Sequence, residues 1–289
     1  MRYEGNVIRP PSEADAIILQ VTVGCSHNRC TFCGAYRSVA FRIRSLAEID
    51  ADLRHAARLF PEHDKIFLAD GDVLSLSMRR LREILALVRQ HLPGVRKIGL
   101  YGNAKNIRHK SRTDLAELRA AGLKRVYMGL ESGDPGVLER VGKGVTPGEM
   151  VDCAEKIRAA GLFLSVTALL GLGGRTGSRR HAEATAGVLR AMHPSQIALL
   201  SLMPIPGTPL AGEIERGAFQ LPAAGELLLE LRHLLAGLAG VRCQFHCNHA
   251  SNHLPLAGRL PQDHARLLAT VDRGLAGAIT LMPEDCRRL

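Results

Sequence analysis

The chain contains no tryptophan, and aromatic residues make up only 4% of its 289 positions. A surface that stacks successive bases of a single strand needs several aromatics side by side. This scarcity therefore argues against such a nucleic-acid platform. No run of about 18 apolar residues occurs, which argues against a membrane-spanning helix. The opening residues, Met-Arg-Tyr-Glu-Gly-Asn, hold no apolar signal segment, so a cytoplasmic protein is expected. Cytosolic thiols stay reduced. Seven cysteines, an odd number, also argue against a disulfide framework. Internal repeats and low-complexity linkers are missing too.

The chain is 46% apolar, enough to bury a substantial core. Its net charge is +10, from 38 Lys and Arg against 28 Asp and Glu. That balance is compatible with nucleic acid, an acidic protein or an anionic ligand. The basic residues do not form one block, and several, such as Arg79, Arg80, Arg82 and Arg89, fall on a helical pattern. The plainer reading is a solvated basic surface.

Short apolar runs near 16–23, 65–69, 96–101, 125–130, 162–170 and 196–202 read as strands. Helical patterns occupy 46–60, 78–91, 113–121, 147–160 and 178–192 between them. Strands alternating with helices predict an α/β fold with a parallel sheet, either an open doubly wound sheet or a partial barrel. The pattern breaks at Met203-Pro-Ile-Pro-Gly-Thr-Pro209. Beyond it come a helix near 223–236, an irregular His- and Cys-containing segment, and a helix near 262–277. The expected organisation is a catalytic core over 1–210 and a C-terminal extension over 211–289.

Ligands of parallel β/α folds gather at the carboxyl ends of the strands. Here the first strand is followed by Cys25, Cys30 and Cys33, and the second by Asp70-Gly71-Asp72. The third runs into Gly102-Asn103, the fourth into Glu131-Ser132-Gly133, and the fifth into Gly171-Leu-Gly-Gly174. Thiolates suit zinc, copper(I) and iron–sulfur clusters. Structural zinc takes four protein ligands, and no second CxxC lies near. A redox CxxC at Cys30 and Cys33 leaves Cys25 unexplained. A [4Fe–4S] cluster on three cysteines, with one iron left for another ligand, fits best.

The spacing Cys25-x4-Cys30-x2-Cys33, with the strand-end motifs after it, resembles the radical S-adenosylmethionine (SAM) superfamily over residues 16–210. The likeness is nearest to the branch of oxygen-independent coproporphyrinogen oxidases and methylthiotransferases. The usual loop has three residues and then two between its cysteines. The extra residue here matches a sub-group with lengthened loops. The resemblance implies a partial (β/α)6 TIM-like barrel, its mouth covered by the C-terminal extension. It implies cluster ligation by Cys25, Cys30 and Cys33. Phe32 would lie near the adenine of SAM, though a plain core aromatic is an equal reading. Asp70, Gly71 and Asp72 stand where the family has Gly-Gly-Glu, which binds the SAM amino group; the rival reading is an ordinary turn with a capping Asp. Glu131 and Ser132 would contact the ribose or amino-acid end. Asn103, with Lys105, and Gly171 complete the implied cofactor set. The run after Gly174 is Arg175-Thr-Gly-Ser178, so it is no phosphate loop of the Walker type.

The resemblance further implies reductive cleavage of SAM to methionine and a 5′-deoxyadenosyl radical, which takes hydrogen from a small-molecule or cofactor-precursor substrate. A flavodoxin- or ferredoxin-type electron donor is implied as partner. In the extension, Cys243, Cys247 and Cys286 with a histidine are candidates for an auxiliary cluster or a zinc site. The preferred expectation is that His249 and Asn252 face substrate or SAM, with His249 a candidate acid or base. Lone Cys153 is expected in the core. The alternatives are a radical SAM enzyme acting on RNA, suggested by charge alone, and a non-catalytic zinc-binding module.

Overall fold

The computed structural model describes residues 1–288. Its long strands are β1 (Ile17–Gln20), β2 (Lys65–Ala69), β3 (Lys97–Tyr101), β4 (Leu123–Glu131), β5 (Phe163–Leu170), β6 (Gln196–Ser201), β7 (Cys243–Cys247) and β8 (Leu256–Leu260). Its long helices are α1 (Leu46–Leu59), α2 (Met78–His91), α3 (Arg112–Ala120), α4 (Pro147–Ala159), α5 (Gly174–Met192), α6 (Ala224–Ala236) and α7 (His264–Leu275). Helix starts are written in the local sequence. Ser45 Oγ accepts from the Glu48 N–H while the Glu48 carboxylate accepts from the Ser45 N–H. Ser111 and Asp114 repeat this capping box at α3. In α1, Ile49, Leu53 and Ala56 recur at helical spacing and are buried.

The chain divides into two compact units. The first comprises Met1–Asn28, Cys33–Met128 and Glu155–Leu164; the second comprises Arg29–Phe32, Gly129–Ala154 and the chain from Ser165 on. β4 and β5 run through the boundary and belong to both.

In the first unit β1, β2, β3 and β4 lie in that order and pair in parallel, with Ile17 beside Ile66, Lys65 beside Lys97 and Gly99 beside Arg125. Phe67, Tyr101 and Tyr127 meet edge-on at 5.0–6.1 Å between ring centroids. Three of the few aromatics are thus spent on the core. The expected strand over 16–23 is broken. Ile17–Gln20 stays in the sheet, whereas Thr22–Val23 pairs antiparallel with Arg42–Ile43. Buried Arg44 holds the break: its guanidinium donates to the Gln20 carbonyl at 2.9 Å and to Asp52 at 2.7 Å.

The α2 arginines are committed to the surface of their own unit. Arg82 pairs with Glu117, Arg79 and Arg80 reach Glu83, and Arg89 donates to the Ala121 carbonyl. A solvated basic surface was expected of them; the face is also ion-paired, each exposed pair worth at most about 1 kcal/mol.

In the second unit β5 and β6 pair in parallel from Ser165 beside Gln196 to Leu170 beside Ser201. The segment expected to be irregular is instead strand: β7 adds parallel to β6, and β8 adds antiparallel to β7. Phe245 and Cys247 supply its buried alternation. α5 begins at Gly174 rather than near 178, because the Arg175 N–H is taken by the Gln220 carbonyl and draws the glycine run into the helix start. Short helices at Pro135–Arg140 and Pro209–Glu215 were also unforeseen.

Two buried polar networks bind this unit. Asn252 is 2% exposed. Its amide donates to the carbonyls of Leu199 and Cys247 at 2.8 and 2.9 Å, and its oxygen accepts from Ser201 Oγ at 2.9 Å. Both ends of Asn252 are therefore used by the protein. Buried Arg287 closes over the same turn, donating to the Ser251 and Leu202 carbonyls.

The second network centres on His181. Its Nε2 lies 3.0 Å from the Leu169 carbonyl, which can only accept, so Nε2 carries the proton. Nδ1 then accepts from Ser132 Oγ at 2.8 Å. Burial pushes His181 down to about 4 and Glu230 up to about 7. The two are neutral together near pH 6, so their 3.6 Å approach is not an ion pair there. Glu230 accepts from the Gly171 N–H at 2.6 Å and from Ser178 Oγ.

Two outcomes follow for stability. Between about pH 4.5 and 7 the folded protein keeps a proton on Glu230 that the unfolded chain has released, so the Glu230 contribution to stability falls as pH rises through that window, while that of His181 rises up to about pH 6.5. Glu230→Gln accepts from the Gly171 N–H on its amide oxygen and donates its amide N–H to Ser178 Oγ, without a charge. Its stability relative to the unaltered protein should rise across the window by on the order of 3 kcal/mol and level off above it. Urea melts at pH 5 and 8 test this, and parallel curves would refute it. Asn252→Ala leaves two buried carbonyls and a hydroxyl without this partner and should cost about 2–4 kcal/mol by the same melts.

Candidate functional site

The first unit brings Gly24–Ser26, the start of the cysteine loop, against the end of β2. Gly24 donates its N–H to Asp70 Oδ2 at 3.0 Å, and its carbonyl accepts from the Gly71 N–H at 3.2 Å. Ser26 Oγ donates to Asp72 Oδ2 at 2.7 Å. A Cβ on Gly71 would stand 2.9 Å from Cys25 Cβ and 2.8 Å from Tyr36 Cε2, so only glycine permits this approach. Tyr36 donates to Asp70 Oδ1 at 2.6 Å, and Gln20 donates to Oδ2 at 3.2 Å. Asp72 also accepts from the Asn103 N–H at 3.1 Å and from the Asn106 amide.

Burial pushes both carboxyls above their usual range, and these donors pull them back. Buried Lys110 donates to the Leu76 carbonyl at 2.7 Å, and burial lowers its pKa. Asn103 caps the short helix Ala104–Ile107, its side chain accepting from the Lys105 N–H. Sequence reasoning singled out the acceptors Asp70 and Asp72 and missed most of the donors. Ser26 and Tyr36 lie in or beside the cysteine loop, where a search for hydroxyls was open. Gln20 and Asn106 carried no local signal.

In the second unit Phe32 is partly buried and packs against the cluster of Val137, Val141, Leu172, Leu202, Leu210 and Phe219. Ser132 is fully buried and committed to His181 and the Asp134 N–H. The Gly171 N–H is held by Glu230, at a backbone φ of +86° that favours glycine. Glu131 is different. It ends β4 at φ +64°, a region costly for a residue with a side chain, and its carboxylate pairs with buried Lys143 at 2.8 Å. Stored backbone strain of this kind concentrates at functional sites. Lys143, twelve positions further on, gave no sequence signal.

His249 sits half-buried in the turn after β7, where Nδ1 accepts from the Ser251 N–H at 3.1 Å, and burial lowers its pKa. Cys247 is buried with its thiol pushed up to about 12, and Cys243 up to about 11, while Cys286 is exposed. Burial favours the neutral thiol at both positions. Cys153 is buried in the core, as expected.

Cys25, Cys30 and Cys33 are in no disulfide, and each is partly exposed. Among the described residues no three His, Cys, Asp or Glu side chains converge as a single metal ion would require. Cysteines of a cubane bind three separate irons and need not converge on one point. The donor chemistry of this loop, three reduced thiols and no fourth, therefore fits a [4Fe–4S] cluster. No helix among the described residues is long and apolar enough to cross a membrane.

Known proteins agree with this frame. The family model described as the radical SAM superfamily matches residues 19–184, more than half of the chain. The heme chaperone HemW of Bacillus subtilis is 23% identical over 163 residues, 56% of this chain and 42% of that protein. An uncharacterised methyltransferase of Pyrococcus horikoshii is 30% identical over 93 residues, 32% of this chain and 20% of that protein. The chain thus spans less than half the length of these curated relatives. Among solved structures, the radical SAM enzyme coproporphyrinogen III oxidase (HemN) of Escherichia coli superposes with a TM-score of 0.62 at 18% identity, covering 77% of this chain and 52% of that one. The radical SAM methyltransferase TsrM of Kitasatospora setae, solved with cobalamin and a [4Fe–4S] cluster, gives 0.58 at 20% identity, covering 75% and 43%. These superpositions establish the fold class as the α/β partial barrel of the radical SAM type. By its family match this chain belongs to the radical SAM superfamily.

Proposed function

We propose that this chain is a radical SAM enzyme acting on a small molecule or cofactor precursor, with Cys25, Cys30 and Cys33 as the ligands of a [4Fe–4S] cluster. The observation that carries the reading is a loop with three cysteines in no disulfide after β1, in a chain whose residues 19–184 match the family. A cluster held there by Cys25, Cys30 and Cys33 would supply the electron for reductive cleavage of SAM, the source of radical chemistry on the substrate. The protein's part is to orient, to exclude water and to keep the thiols in place. Glu131 is assigned to SAM: it is a carboxylate at a strand end, in a strained conformation, with Lys143 as its counter-ion. The electron donor is an acidic flavodoxin or ferredoxin, to which a chain of net charge +10 is complementary. RNA as substrate is less favoured, because the α2 arginines are already paired.

Anaerobic reconstitution should give a brown protein with about four irons per chain, which makes 5′-deoxyadenosine from SAM on reduction. A colourless protein with one zinc would end the proposal. Replacing all three loop cysteines by Ala should abolish iron uptake in a folded protein. Glu131→Gln should keep the iron and weaken SAM binding about tenfold, or about 1.4 kcal/mol. Equilibrium binding to the reconstituted protein measures that loss.

A further inference from the structure

The three residues at the end of β2 meet the three residues centred on Cys25 one for one. Asp70 and Gly71 hold Gly24 from its N–H and its carbonyl, Gly71 lies flat against Cys25, and Asp72 takes the Ser26 hydroxyl. Each carboxylate also reaches a second element. Asp70 accepts from Tyr36, three residues past Cys33, and the Tyr36 carbonyl accepts from the Asn28 amide at 2.8 Å. Asp72 accepts from the N-terminus of the Asn103 turn and from Asn106, which also donates to Ser26 Oγ at 3.1 Å.

A carboxylate offers about four lone-pair sites. Asp70 receives three donors and Asp72 receives three, and Asp72 is fully buried. A ligand ammonium at Asp72 would find one site left, on Oδ1, beside these three donors. The donors already present are protein groups, and most belong to or brace the cysteine loop.

We propose that Asp70 and Asp72 are positioning residues for Cys25, clamping the chain on both sides of it so that its thiol is held in place before any ligand binds. This differs from the SAM-binding role that the Gly-Gly-Glu resemblance implies for the same positions. It rests on the reading of Cys25 as a cluster ligand only for its consequence, because the clamp itself is a property of the polypeptide. Groups that orient a ligand residue typically change metal affinity about 10- to 100-fold when removed.

The test uses Asp70→Asn, Asp72→Asn, Ser26→Ala and the Asp72→Asn/Ser26→Ala double variant, each checked for folding by circular dichroism. Ser26→Ala removes a single hydroxyl from a solvent-facing residue and guards against loss of fold. In the iron-free protein, alkylation of Cys25 is followed by peptide mass spectrometry. In the reconstituted protein, cluster loss to a chelator and the electron paramagnetic resonance spectrum of the reduced cluster are recorded without SAM. The clamp predicts Cys25 labelling and cluster loss each about tenfold faster in Asp72→Asn and Ser26→Ala. It predicts a double variant no faster than Asp72→Asn alone, and an altered spectrum before SAM is added. Unchanged labelling and cluster retention in all variants, with SAM binding lost only in Asp72→Asn, would overturn it and make Asp72 a SAM ligand. If the unaltered protein takes up no iron, the enzymatic reading fails, and the alkylation rates still decide the clamp.

Discussion

A carboxylate removed from water must be given donors, and this requirement organises the site. Asp70 and Asp72 are 1% and 0% exposed at the end of β2. Left unpartnered, either would cost several kcal/mol or be forced neutral. The structure satisfies them with the backbone of Gly24, the hydroxyls of Ser26 and Tyr36, the amides of Gln20 and Asn106, and the N–H of Asn103. The cost of burial is thereby turned into order in a loop that has little secondary structure of its own. Gly71 is the third member, because a side chain there would collide with Cys25.

The same logic recurs in the second unit with a different outcome. Glu230 and His181 are both buried, yet neither acts as a charge: one is raised to about 7 and the other lowered to about 4. Their donors and acceptors join the ends of β4 and β5 to α5 and α6 through Ser132, Leu169, Gly171 and Ser178. Ser132 and Gly171, which family resemblance points toward a cofactor, here serve the packing of that network. Glu131, one residue before Ser132, keeps the features of a working residue: strain, a buried counter-ion and a place at a strand end.

Much of the scaffold was legible. β2 and α2 fall on the predicted bounds because the apolar period and the capping residues are local. β7 and β8 were not legible, since Cys-Gln-Phe-His-Cys and Leu-Ala-Gly-Arg-Leu are too short and too polar to show a period. They become strands only because β6 offers an edge to pair with. The break after Gln20 was hidden for the opposite reason. The apolar run continues through Val23, and it takes Arg44, more than twenty residues away, to turn it.

What the sequence by itself determined was the alternation of strand and helix, the thiols of one loop, and the polar residues that follow each strand. All of these are written within a few consecutive positions. Tertiary structure alone decided which of those polar residues are engaged with the protein itself. Hydrogen-bond partners such as Gly24 and Asp70, Ser26 and Asp72, or Ser132 and His181 lie 46 or more residues apart in the chain. A side chain's role depends on what donors meet it, and no local pattern carries that information.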